Sequence, residues 1–232
     1  MITGPLLLLI MAFIEKYRYT PKEKYEEIFD SKSLKDVNKS SHKKNTINLL
    51  IVLNALFLAF YMSTEISYLE FISTYLQYIP LKLTAKTAAE IASASALSYT
   101  IGRGISVLIA IKVKPQNLIQ SHLLIIFIAM SVIMFGQNSM TMLWIGCVGA
   151  GYGFSPIYAA IYSMIKEHIE VNDKIGGILL FATDSINVLL PYVLGKFIEA
   201  TPDLFVYIIL MNASLSVFVF ISILYTIYCF NL

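Results

Sequence analysis

Thr46–Leu76, TINLLIVLNALFLAFYMSTEISYLEFISTYL, decides the class of this protein. It holds no Lys or Arg. As a helix rising ~1.5 Å per residue, it exceeds the ~30 Å hydrocarbon core of a bilayer. Its outer part nevertheless carries Glu65 and Glu70 beside Tyr61, Tyr68, Phe71 and Tyr75. Carboxylates are costly inside a membrane unless they face a water-filled cavity or the interior of a bundle. The segment is therefore expected to do more than anchor the chain.

The rest of the 232-residue sequence agrees. Hydrophobic residues make up 57% and charged residues 14%, with a mean hydropathy of +0.71. Soluble domains hold roughly 45–50% apolar and ~25% charged residues, so the composition indicates an integral membrane protein. The net charge of +2 conceals a segregation, because nine of the seventeen Lys and Arg lie between Lys16 and Lys44. A cytosolic loop obeying the positive-inside rule accounts for them without a nucleic-acid partner. Cys147 and Cys229 fall in separate apolar runs and are expected to be buried small hydrophobes rather than disulfide partners or metal ligands.

Met1–Ile14 is apolar but only ~21 Å long as a helix, short of a crossing. Lys16, Arg18, Lys22 and Lys24 follow it instead of preceding it, which is the wrong order for a signal peptide. It is expected to be the end of a membrane helix truncated at its start. Residues 15–45 are expected to form a basic cytosolic loop, with a short surface helix over Pro21–Phe29 and flexible chain over Ser31–Asn45. Residues 46–232 form the bundle. Its predicted crossings are Thr46–Leu76, Thr84–Ile111, Asn117–Phe135, Met140–Ile165, Ile175–Ile198 and Leu204–Phe230, punctuated by Pro80, Pro115, Gly136 and Pro202. The expected fold is thus all-α: a polytopic membrane helix bundle of six complete transmembrane helices plus one truncated. Thr84–Ile111 is rich in Ala, Ser and Gly, which mark faces where membrane helices approach closely. Loop charge splits thirteen to three in favour of the side carrying the long basic segment, with Arg103 left out as intrahelical, and places that segment in the cytosol.

Several polar residues fall deep in these helices, where ionisable groups point to function. Asp184 lies ~15 Å into its helix from Lys174, near the midplane, and Asn187 shares its face. The plainer account is an Asp held by a neighbouring helix for structure alone. Glu65 lies ~27 Å from the cytosolic end, in an outer vestibule where it meets a cation or a solute hydroxyl; Glu70, farther out, is expected at the surface. Arg103, ~13 Å from the helix end at Lys112, either snorkels to the interface or joins a gating ion pair. Ser155, Tyr158 and Tyr162 share a face, and hydroxyls with aromatic rings suit a sugar; ordinary packing also uses Tyr. Pro156 removes a backbone donor and is expected to kink or unwind its helix. Gly149 and Gly153, four apart, suit close helix packing. His122, near a helix start, is expected at the interface. No HExxH, Gly-x-Ser-x-Gly or P-loop motif occurs, so enzymatic activity and a resident cofactor are not expected.

This layout, six helices preceded by the end of another and a long basic loop, resembles the second half of a major facilitator superfamily transporter. Tyr61–Leu76 is similar to the seventh-helix motif of the fucose-proton symporter-like branch, roughly Tyr-x-Gly-Ala-Glu-x-x-x-Gly-x-x-x-x-x-Tyr. That branch includes sodium-dependent glucose transporter-like proteins and the major facilitator superfamily domain-containing protein 4 group. Tyr61, Glu65 and Tyr75 match; Ser63 and Thr64 stand for Gly-Ala, and Leu69 for Gly. Gly102-Arg103, Gly153-x-Ser155-Pro156-Ile157-Tyr158, and Gly195 after Pro191 are secondary likenesses that extend the resemblance over essentially the whole chain.

The resemblance implies the C-terminal half of a major facilitator fold. It implies a secondary active transporter of the plasma membrane that moves a hexose or similar small polar solute by alternating access, coupled to sodium or protons. The partners implied are the lipid bilayer, the solute and an N-terminal six-helix half. Glu65, Ser155, Tyr158, Asp184 and Asn187 are taken as the solute side, with Arg103 near a cytosolic gate. The alternative is a truncated, non-transporting membrane protein that pairs with or regulates a full-length transporter.

Overall fold

Helix bounds at Pro80, Pro115, Gly136, Pro156 and Pro202 follow the breakers in the sequence, and every regular element among the described residues is an α-helix. The computed structural model describes residues 37–169, 173–187 and 189–230. The expected opening helix over 1–14 and the surface helix over Pro21–Phe29 lie outside them. Two compact units are present, Met1–Lys43 and Lys44–Leu232. Of the first, Val37–Lys43 falls among the described residues and is helical.

The helices are α1 (Val37–Tyr78), α2 (Ala85–Ala110), α3 (Pro115–Phe135), α4 (Met140–Phe154), α5 (Ile157–His168), α6 (Asp173–Asn187), α7 (Leu189–Phe197) and α8 (Asp203–Phe230). Thr46–Tyr78, Pro115–Phe135 and Asp203–Cys229 are long and apolar enough to cross a membrane. The chain therefore has the build of a helical membrane protein.

α1 corrects one expectation. It begins at Val37, inside the stretch Ser31–Asn45 expected to be flexible. No Gly or Pro occurs from Val37 to Tyr78. Once a helix is nucleated, each further residue adds a backbone hydrogen bond, so polarity alone does not end it. At its far end Pro80 and Lys82 make the expected turn. Lys82 has φ 45°, a left-handed conformation that favours glycine. Its N–H bonds Ile79 O at 2.8 Å, and Thr84 then caps α2 by accepting from Thr87 N at 3.2 Å.

The middle of α1 is ringed by neighbours. Ser63, Thr64 and Glu65 are consecutive and all buried, although successive helical side chains point ~100° apart. Phe57 meets Phe220 of α8, Tyr61 and Tyr68 meet Phe154 of α4, and Tyr75 stacks on Phe205 of α8.

α4 is wedged between α2 and α3, with glycines on both sides. A Cβ on Gly151 would come within 2.2 Å of Ser95 O in α2, and one on Gly153 within 2.8 Å of Ile126 in α3. Close packing at Gly153 is as expected. Gly149 makes only ordinary contact with Ala129, and Gly146, pressed on Ile133, takes the role expected of it. The buried side of α2 is Ala88, Ile91, Ser95, Gly102 and Ser106, the small-residue face that membrane helices use for close approach.

Large apolar side chains cover the outer surface, among them Leu97, Leu108, Phe135, Phe218 and Tyr228. Cys147 is buried as expected; Cys229 is exposed beside Tyr225 and Tyr228 on the outward side of α8. An apolar run does not imply burial within the protein when lipid can serve as the surrounding medium.

Candidate functional site

The turn between α1 and α2 sets the register of the site. Glu65 lies thirteen residues before the end of α1 and Tyr99 fourteen after the start of α2. Both therefore stand ~20 Å from the turn, level across the hairpin. Tyr99 Oη donates to Glu65 Oε1, and Arg103 Nη2, one turn further along α2, donates to Tyr99 Oη. Arg103 Nη2 lies 3.7 Å from the same Glu65 oxygen. Its guanidinium also rests 4.4 Å from the centre of the Tyr99 ring. Glu65 is 3% exposed, whereas the Arg103 side chain is 41% exposed.

This chain converges on one carboxylate oxygen. Oε1 receives both partners; Oε2 is buried and has no hydrogen-bond partner among the described residues. Tyr61, one turn below on the same face, brings its hydroxyl close to the carboxyl but directs its single hydrogen to Phe154 O, at 2.7 Å. The Arg103 side chain thus points along α2 toward the turn, not toward the helix end at Ala110 as a snorkelling residue would. Of the two roles expected for it, the ion pair is the one present.

A broken helix adjoins the hairpin. Met140–Ile165, expected as one helix, is divided at Ser155–Pro156 into α4 and α5. Pro156 has no N–H, so Tyr152 O loses its usual donor. Ser155 replaces it through both its N–H, at 3.2 Å, and its hydroxyl, at 2.8 Å. The next two carbonyls are also taken by side chains: Gly153 O by His122 Nδ1 at 3.2 Å, and Phe154 O by Tyr61. Irregular backbone at membrane depth persists where neighbouring groups satisfy it in this way. His122 is consequently 3% exposed and braced against Tyr152, not interfacial as expected. Ser155 packs against Gly102, whose added Cβ would meet its Oγ at 2.5 Å. Gly102 adjoins Arg103, which puts the break and the Glu65 cluster on neighbouring turns of α2.

A second polar layer lies one turn nearer the hairpin turn. Tyr68 Oη and Ser95 Oγ are 3.0 Å apart, and both reach Cys147 O, at 3.1 and 2.8 Å. Its groups satisfy one another and tie α1, α2 and α4 together.

The sequence-derived residues divide accordingly. Glu65, Arg103 and Ser155 gather at the hairpin and the break. Tyr158, half-buried on α5, packs edgewise on Tyr162 with centroids 5.0 Å apart. Asn187 is half-buried, and its side-chain oxygen and nitrogen lack partners among the described residues. Asp184, on α6, is exposed and has no partner among them. Glu70 is exposed, as expected. Tyr99, the central link, was not singled out from sequence; counting from the turn at Pro80 would have found it. A cavity of about 210 Å³ lies elsewhere, lined by Met134, Phe135, Gln137, Asp203, Val206 and Tyr207, with Gln137 bonded to Asp203 at 2.6 Å. None of the expected site residues lines it.

No protein-family model matches this chain, and no curated protein is significantly similar to it.

Proposed function

We propose that residues 46–230 are one six-helix half of a secondary active transporter. The crossings would be α1, α2, α3, α4 with α5, α6 with α7, and α8. The solute would be a hexose or similar small polar molecule, moved by alternating access with sodium or protons, in the manner of the fucose-proton symporter-like branch of the major facilitator superfamily. The observation that carries this reading is the Glu65–Tyr99–Arg103 chain, built on a buried carboxyl and set beside a broken helix. Ionisable side chains and interrupted helices at membrane depth are the means by which transporters seat polar cargo.

Two further observations support it. Among the described residues, five of the eight buried side-chain polar atoms that lack partners lie on α1, where a solute path would supply the missing bonds. The exposed Asp184 needs a polar neighbour in a membrane, and a second bundle across a wet cleft would provide one. A plasma-membrane location belongs to the same proposal. The truncated regulator remains the second reading, since Asp184 would serve equally to pair with a transporter that moves solute on its own.

The test uses the single tryptophan, Trp144 on α4. In lipid nanodiscs, D-glucose, D-galactose or L-fucose is expected to change Trp144 fluorescence saturably, and Ser155→Ala to weaken the response several-fold. A chain that responds to none of these hexoses overturns the solute reading.

A further inference from the structure

The Glu65 carboxyl has a donor at one oxygen and lacks one at the other, while its charge is already balanced. Its Oε1 faces the Tyr99 hydroxyl and the Arg103 guanidinium, so the pair is neutral as it stands. Its Oε2 is closed off and takes no hydrogen bond among the described residues. The tyrosine and serine hydroxyls of the two polar layers are already committed, Tyr61 to Phe154 O and Tyr68 and Ser95 to Cys147 O; the uncommitted hydroxyls of Ser63 and Ser67 stand about 200° around α1 from Glu65. A buried carboxylate oxygen with no donor is unfavourable and marks a place where something else binds.

Charge distinguishes the candidates. A sodium ion at Oε2 would leave the buried cluster with a net positive charge in a medium that screens it poorly. An uncharged O–H supplies the missing hydrogen bond and leaves the charge at zero. We propose that Glu65 Oε2 accepts a hydrogen bond from an uncharged hydroxyl of the polar solute, and that any coupling cation is seated elsewhere. Arg103, the exposed member of the chain, is the side chain whose displacement opens the carboxyl to the solute. This deepens the solute reading above and rests on it.

Such a site recognises one hydroxyl. Hydrogen bonds to a charged acceptor separate a polyol from its monodeoxy analogue by roughly ten- to a hundredfold in affinity. Trp144 titrations in nanodiscs would use a hexose that gives a response together with its monodeoxy analogues, each in sodium chloride and in choline chloride. For the wild-type chain the affinity is expected to be the same in both salts, with one monodeoxy analogue at least tenfold weaker. Glu65→Gln is expected to weaken the parent hexose to near the level of that analogue and to erase the difference between them. Arg103→Gln, which leaves the carboxylate unbalanced, is expected to make hexose affinity sodium-dependent. The neutral pair Glu65→Gln with Arg103→Gln controls for folding and is expected to bind with no salt preference.

Sodium-enhanced binding in the wild type that vanishes in Glu65→Gln would make Glu65 the cation seat and overturn the proposal. So would a full set of monodeoxy differences that survives Glu65→Gln unchanged. Either result leaves the solute reading standing. Absence of any hexose response in the wild type overturns that reading itself.

Discussion

Glu65 on α1 and Asp184 on α6 are both acids set among apolar residues, yet their surroundings are opposite. Glu65 is buried, bonded by Tyr99 and ion-paired to Arg103 across a short hairpin. Asp184 is exposed and has no partner among the described residues. The packing around them differs in the same sense. α4 is pressed onto α2 and α3 over glycines, and α1 is tied to α4 by side chains onto backbone carbonyls. Gly176 and Gly177 on α6, by contrast, have open space where a Cβ would stand. An acid in a membrane helix needs a partner. The hairpin supplies one from within the chain, whereas no described residue supplies one to Asp184 on α6.

The largest effect should come from breaking the internal pair. Arg103→Leu leaves Glu65 buried and uncompensated, an arrangement that typically costs several kcal/mol. Partial exposure of Arg103 reduces this to about 2–3 kcal/mol, measurable as a loss of unfolding free energy in mixed micelles. The double variant Glu65→Leu with Arg103→Leu should recover most of the loss, because it removes both charges together. A single variant within about 0.5 kcal/mol of wild type would show that the pair contributes nothing to stability and would dissolve the contrast with Asp184.

Glycine substitutions sharpen the packing side of the comparison, because the same change should have opposite signs in the two regions. Gly151→Ala drives a methyl into Ser95 O, which is rigid backbone, so α2 and α4 must separate. Overpacking of this kind costs about 1–3 kcal/mol. Gly176→Ala meets nothing and should stabilise α6 by about 0.5–1 kcal/mol through the lower backbone entropy of alanine in the unfolded chain. Denaturation midpoints of the two variants, measured side by side, give the result. Equal signs would mean that α6 is as tightly covered as α4.

Local chemistry was legible in the sequence; placement between helices was legible only in part. The turn at Pro80–Lys82, the loop after Phe135 and the break at Pro156 follow from breakers that act within a few residues, and each is present. The apolar length of Thr46–Tyr78 is equally local. The early start of α1 at Val37 is not legible in composition, because a polar stretch reads as loop even where nothing in it forbids a helix. Glu65 and Arg103 were each measured from their own cytosolic ends, which set them at different depths. Measured from the turn that joins their helices, Glu65 and Tyr99 fall level and Arg103 reaches back one turn. His122 is illegible for another reason: the carbonyl it meets, Gly153 O, lies at the break between α4 and α5, and no pattern along α3 reports that.

Asp184→Asn should have the smallest effect, and its smallness is informative. An exposed carboxylate without an internal partner contributes little to the bundle's own stability, so neutralising it should shift unfolding by no more than about 0.5 kcal/mol. The amide keeps the shape and size of the carboxylate, so no packing change confounds the comparison. In a membrane, an acid that contributes nothing within its own bundle still carries a desolvation penalty unless water or a polar partner faces it. A near-zero shift would therefore place the counterpart of Asp184 outside the described helices, as a second bundle across a wet cleft requires. A loss above about 1 kcal/mol would instead reveal an internal partner, and Asp184 would join Glu65 as an acid satisfied by its own chain.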